Sequence, residues 1–166
     1  MQLSLPSRRG RVNNLEWERQ GGASDSLRLL GLDVGDKRIG VALSDPTGML
    51  ATPLIVYHRR DTAIDVQYVV DLSRDHDVVG VVVGLPKNMN GTEGPQAEKT
   101  REFAEAVSRA GIPVHFWDER LSTVEATRRM VGHRPKRRGH QRHVDSEAAA
   151  IILETYLDFV RSKGGR

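Results

Sequence analysis

A chain of 166 residues has the length of one domain that can bury a sound core, and the absence of cysteine excludes disulfides, thiolate zinc sites and a thiol nucleophile. No window approaches the roughly 18 consecutive apolar residues of a membrane span, and residues 1–26 lack the apolar stretch of a secretory signal, so a water-soluble, cytoplasmic protein without a membrane partner is expected. The net charge of +3 is unevenly spread. Ala126 to Val144 carries seven bases and no acid, which leaves 18 bases against 22 acids elsewhere.

Residues 1–26 are polar, with Arg8, Arg9, Arg11 and Gly21-Gly22, and read as a flexible arm ahead of a domain over 27–166. Leu27 to Val34 is a short apolar run, Gly35-Asp36 makes a turn, and Ile39 to Leu43 alternates into a second strand. After the Pro46-Thr47-Gly48 turn, Leu50 to Tyr57 completes an antiparallel meander. The period then changes. Asp61 or Thr62 can cap a helix with Ile64, Val66, Val69, Val70 and Leu72 on its apolar stripe, ending near His76. Val78 to Val83, almost continuously β-branched, suits a central strand covered on both faces. Pro95 opens a helix that buries Ala97, Phe103, Ala104, Ala106 and Val107 and closes at Gly111. Val114 to Trp117 forms the next strand, and Ser122 with Glu125 makes a capping box for a short helix to Met130. A basic loop follows, then a last helix from about Val144 to Arg161. The order β-β-β-α-β-α-β-α-α describes an antiparallel meander extended by parallel crossover strands in one mixed α/β sheet.

Three places put acids where an acid is costly or useful. Asp33 lies inside the first strand, on the face of Gly31 and Gly35. A bound cation would offset its burial, and the glycines leave room for a metal or phosphate; the alternative is a carboxylate that caps the following turn. Asp118 and Glu119 follow a strand at its C-terminal end, where ligands of open α/β sheets gather; the alternative is a polar loop start with an Arg120 ion pair. Asp145 suits the dipole of the last helix as an ordinary first-turn acid, but it also heads the stripe Ala148, Ala149, Ile152 that packs onto the sheet. Acids that converge from these three places repel one another and call for cations. With oxygen ligands alone, Mg²⁺ or Mn²⁺ is expected, and two such ions about 3.5–4 Å apart can activate water and steady the leaving oxygen of a phosphodiester.

Four segments resemble the RuvX/YqgF family, the Holliday-junction resolvase-like and pre-16S rRNA-processing nucleases with the RNase H-like fold. They are Leu32-Asp33-Val34-Gly35 with Arg38-Ile39-Gly40-Val41-Ala42, Gly84-Leu85-Pro86 through Asn90-Gly91-Thr92-Glu93-Gly94, Asp118-Glu119-Arg120-Leu121-Ser122-Thr123, and Val144-Asp145-Ser146-Glu147-Ala148-Ala149. The resemblance spans roughly residues 28–160. It implies a three-layer RNase H-like domain, a five-stranded sheet with three antiparallel and two parallel strands, and Asp33, Glu119 and Asp145 as the metal-binding catalytic positions. Junction resolvases carry two acids on the final helix, whereas Arg142 stands one turn before Asp145 here.

The substrate then expected is structured RNA or branched DNA, with ribosomal precursor particles among the partners and a monomer or homodimer as the working form. The long loop Gly84 to Gly94 offers Asn88, Asn90 and Thr92 as donors to phosphates or sugars, with an ordinary surface turn as the alternative. Arg120 and the basic stretch with Arg134, Lys136, Arg137, Arg138 and Arg142 lead to Asp145 and suit a phosphate backbone, with a solvated loop as the alternative. His133, His140 and His143 read as solvated or phosphate-contacting rather than as a metal site. Two other classes compete with the endonuclease. An actin-like ATPase shares the Asp-x-Gly hairpin but needs a second lobe, and a non-catalytic RNA-binding assembly factor would bind in a salt-sensitive way without turnover.

Overall fold

The structure, a computed structural model, describes residues 27–122 and 144–164. The expected arm over 1–26, most of the short helix to Met130 and the whole basic loop fall outside the described residues.

Strands β1 (Leu29–Val34), β2 (Arg38–Ser44) and β3 (Ala51–His58) form the antiparallel meander, and α1 (Thr62–Asp75) leads to β4 (Gly80–Leu85). Helix α2 (Pro95–Arg109) returns the chain to β5 (Val114–Asp118), and α3 (Val144–Gly164) is the last helix. The sheet order is β3-β2-β1-β4-β5, with β4 parallel to both β1 and β5. Three antiparallel and two parallel strands in one sheet, with helices on both faces, match the expected architecture. Every residue of β4 is buried, as its unbroken apolar run requires.

Period-two alternation sorts the strands into two cores. Leu30, Leu32, Val34, Ile39, Val41, Val81 and Val83 face the helical layer of α1 and α2, where Val69, Phe103, Ala104 and Val107 meet them. Leu29, Ala42, Val82 and Trp117 face the other way, onto Ala149, Ile152, Leu153 and Tyr156 of α3. Small residues on this second face bring α3 close. A Cβ at Gly31 would stand 2.7 Å from the Ala149 carbonyl oxygen, and one at Gly40 would stand 1.9 Å from that of Asp145. Any larger residue at position 40 would have to push the start of α3 off the sheet.

Helix α1 differs from its expected stripe. Ile64 is exposed, while Asp65 is 0% exposed beneath the end of β3. It accepts hydrogen bonds from Tyr57 Oη (3.0 Å), Arg59 Nε (2.9 Å) and the Arg60 backbone N–H (2.9 Å). Burial pushes this carboxyl up, but those three donors outweigh burial and hold it below the usual aspartate range. Arg59 also donates to the Gly35 carbonyl at 3.0 Å and stacks on Phe103, 5.2 Å from its centroid. The buried pair thereby ties the turn after β1 to α1 and α2. Periodicity cannot anticipate this, because Asp65 takes an inward position through its hydrogen bonds rather than its hydrophobicity.

The short helix also starts earlier than the capping box suggests. The chain is helical from Glu119 to Ser122, and Asp118 is the capping residue, its Oδ1 accepting from the Arg120 N–H at 3.0 Å. Ser122 lies within the turn, buried, with its hydroxyl 3.1 Å from that of Thr155 on α3.

Truncation of Asp65 leaves Arg59 buried against Phe103 with, among the described residues, the Gly35 carbonyl as its remaining hydrogen-bond partner. Asp65→Ala is expected to cost about 3–5 kcal/mol in urea denaturation, with Asp65→Asn losing less because its amide oxygen still accepts. A loss below about 0.5 kcal/mol, the ordinary range for surface substitutions, would contradict a stabilising role.

Candidate active site

Asp33 is the penultimate residue of β1 and, by alternation with Leu32 and Val34, points to the α3 side of the sheet. Its partner across the antiparallel ladder is Gly40. The absence of a side chain there admits the backbone of Asp145, so the first turn of α3 lies directly over Asp33. Glu119 comes from the other side. It follows β5, and its side chain reaches over Gly84 at the end of β4, where an added Cβ would stand 2.9 Å from Glu119 Oε1. Two strand ends and one helix start thus bring three carboxylates distant in sequence to one region.

Their electrostatics register the crowding. Burial pushes the Asp33 carboxyl up to about 6, with the negative charge of Asp145 adding to the effect. Burial likewise raises Glu119 to about 7, with further contributions from Asp33 and then Asp118. Asp33 is therefore within electrostatic reach of both other acids. Among the described residues, no basic side chain forms an ion pair with Asp33, and no three acids or histidines are already drawn into one coordinating group. Asp145 is turned instead to Arg38, whose Nε is 3.0 Å from Oδ2. That contact lacks hydrogen-bond alignment, so Oδ2 is buried with its charge balanced but without a donor directed at it.

The donor set fits a divalent cation. All candidate ligands are carboxylate oxygens, Gly40 and Gly84 keep Cβ atoms out of the space beside them, and the buried Asp145 Oδ2 still has an unused acceptor position.

The two acids at the end of β5 take different parts. Asp118 is bound by Arg120 through Nε at 3.0 Å and Nη2 at 2.6 Å, and that side-chain contact, against the opposing effect of burial, holds its carboxyl below the usual range. Arg120 itself is engaged there and by a long 3.4 Å contact to the Met89 carbonyl, so it latches the end of β5 to the loop after β4. Within that loop Asn88, Asn90 and Thr92 bond one another: Asn88 Nδ2 donates to Thr92 Oγ1 at 2.9 Å, and Thr92 Oγ1 donates to Asn90 Oδ1 at 2.6 Å. A bridge between Lys87 and Glu93 closes its base, and Arg101 clamps Glu93. The three polar side chains shape the loop, which presents Met89 to solvent at 94% exposure. Arg134, Lys136, Arg137, Arg138 and Arg142 lie outside the described residues.

Arg38 is the participant that the acid-centred sequence reasoning passes over. The signal is present in the register, since Arg38, Gly40 and Ala42 alternate onto the face that carries Asp33.

A five-stranded mixed sheet in the order β3-β2-β1-β4-β5 with helices on both faces is the RNase H-like fold. The solved RuvC of T. thermophilus in complex with Holliday junction substrate superimposes with a TM-score of 0.58 over 82% of this chain and 96% of that one, at 18% identity. The large terminase nuclease of the thermophilic phage G20c does so with a TM-score of 0.51 over 80% and 82%, at 14% identity. At such identities the likeness is one of fold. The family model of RuvX, described as Holliday junction resolvase, matches residues 27–159, and the chain belongs to this family. Relatives named "Putative pre-16S rRNA nuclease" include one from Moorella thermoacetica, 48% identical over 83% of this chain and 99% of its own length. Another, from Symbiobacterium thermophilum, is 47% identical over 80% and 92%.

The raised carboxyls give the metal-free protein a definite pH dependence. Folded Asp33 and Glu119 hold protons up to about pH 6 and 7, whereas their ordinary values are 3.8 and 4.5. Between those limits the folded state binds more protons than the unfolded chain, so stability is full near pH 4 and falls as pH rises to 7. In chelator at pH 8, Asp33→Asn should melt above the wild type, with a gain on the order of 1–2 kcal/mol after allowance for partial solvent screening. At pH 4 the two should coincide. A variant less stable than the wild type at pH 8 would contradict the electrostatic account.

Proposed function

We propose that the chain is a divalent-metal-dependent endonuclease in which Asp33, Glu119 and Asp145 hold Mg²⁺ or Mn²⁺, two ions when fully loaded, and that it acts in the cytoplasm on the 5′ end of pre-16S rRNA. The observation that carries this reading is Asp33. An acid inside the central sheet faces two further acids and has no basic partner among the described residues, an arrangement that costs stability unless a cation offsets it. When bound, such ions supply an activated water and a counter-charge for the leaving oxygen.

The remaining work belongs to the protein. The hairpin of β1 and β2 fixes Asp33 on a rigid strand, and the Arg59 contact to Gly35 braces the turn immediately beyond it. Glu119 and Asp33 must release their protons to serve as ligands, so loading the site discharges protons near neutral pH. The loop with Asn88, Asn90 and Thr92, latched by Arg120, and the basic residues Arg134, Lys136, Arg137, Arg138 and Arg142 are assigned to the phosphate backbone, the latter because they run directly into α3 in sequence. The name borne by the relatives supports pre-16S rRNA, presented on ribosomal precursor particles, as the substrate. The description of the family supports a second reading, resolution of branched DNA, for which two copies would have to cut symmetrically.

Incubation of the full chain with precursor rRNA and with a four-way DNA junction, each in Mg²⁺ or Mn²⁺, separates these readings. Cleavage of the RNA is expected, with Asp33→Asn, Glu119→Gln and Asp145→Asn each lowering the rate on the order of 10³-fold or more. Cleavage of the junction alone would favour the second reading. No cleavage of either would remove the enzyme reading and favour a binding factor, whereas full activity in Asp33→Asn would remove Asp33 from the catalytic site.

A further inference from the structure

The ion pair at the start of α3 carries a consequence for the same site. Arg38 is the first residue of β2, fixed by its ladder pairing with His58 and by its carbonyl, which accepts the Gly35 N–H at 2.8 Å. Its side chain leaves the sheet on the face of Gly40, where the Asp145 backbone lies, and meets Asp145 Oδ2 at 3.0 Å. Among the described residues, the charged groups gathered there include Asp33, Glu119 and Asp145 together with the Arg38 guanidinium, while Arg120 is bound to Asp118.

We propose that Arg38 is a placeholder cation: it balances Asp145 in the metal-free protein, yields that carboxylate when a divalent ion enters, and thereby sets the ion affinity of the site. Three features support this role over that of a permanent structural pair. The contact is not aligned as a hydrogen bond, so Asp145 Oδ2 keeps its acceptor capacity for a metal. The Arg38 side chain is 44% exposed, and a half-exposed arginine can withdraw into water at small cost, unlike Arg59, whose side chain is 17% exposed and paired with the fully buried Asp65. Finally, a guanidinium beside Asp145 opposes a second cation by like-charge repulsion.

The inference rests on the metal-binding reading, but its signature is separate from activity because one substitution moves two quantities in opposite directions. Removal of the positive charge takes from Asp145 its Arg38 counter-charge, so the chelator-treated Arg38→Gln protein should melt below the wild type. The same removal should tighten Mn²⁺ binding roughly five- to tenfold in calorimetric titration of the full chain. Arg38→Lys, which keeps the charge, should remain within about twofold of the wild type. If Arg38→Gln fails to fold, the wild type labelled with ¹⁵N-arginine still decides the matter: Mg²⁺ should move the Arg38 Nε resonance toward that of a free, solvated guanidinium. Unchanged or weaker Mn²⁺ binding by Arg38→Gln, or an Arg38 Nε signal indifferent to Mg²⁺, would overturn the proposal while leaving the metal site intact. Absence of Mn²⁺ binding in the wild type, or binding unaffected by Asp33→Asn, would instead remove the metal-binding reading and this inference with it.

Discussion

The close approach of α3 to the sheet is the constraint from which the rest of this structure follows. Gly31 and Gly40 present backbone where other residues would present side chains, and the carbonyl oxygens of Ala149 and Asp145 occupy that space. Contact at this distance places an acid from the start of a helix above an acid inside a strand. Gly84 does the same for Glu119 at the end of β4. Without these glycines the sheet and helix could still form a hydrophobic core, with the acids farther apart and less perturbed.

That arrangement costs stability. Burial and mutual repulsion raise the proton affinity of Asp33 and Glu119, and a protein selected for stability alone would place neutral residues there. Elsewhere buried charge is handled differently. Asp65 is more deeply buried than either, yet three donors surround it, and it braces the hairpin turn beside the site through Arg59. The contrast between Asp65, held below the usual range by three donors, and Asp33, pushed up to about 6, separates scaffold from candidate machinery more clearly than burial does.

Much of this was legible in the amino-acid sequence. Alternation in Leu30, Leu32 and Val34, the unbroken run through Val83 and the stop at Gly111 locate the strands and helices, because each reflects a local period or a local break. The candidate acids were legible as residues placed against their local preference, Asp33 within a strand above all. Asp65, the Asp118 cap and the Arg38 contact were not, since each depends on a partner supplied by another element or by a turn whose start is set by side-chain hydrogen bonding. Periodicity assigns Ile64 rather than Asp65 to the interior, and only the donors from the end of β3 reverse that order. The role of Asn88, Asn90 and Thr92 is similarly non-local in character: their polarity suits a ligand, while their spacing lets them bond one another.

The measurement that bears most directly on the central claim is a crystal of the full chain soaked in manganese, with anomalous scattering recorded at the metal edge. Anomalous density bounded by carboxylate oxygens of residues 33, 119 and 145 is expected. Density elsewhere, or none at these positions with the three side chains well ordered, would contradict that claim.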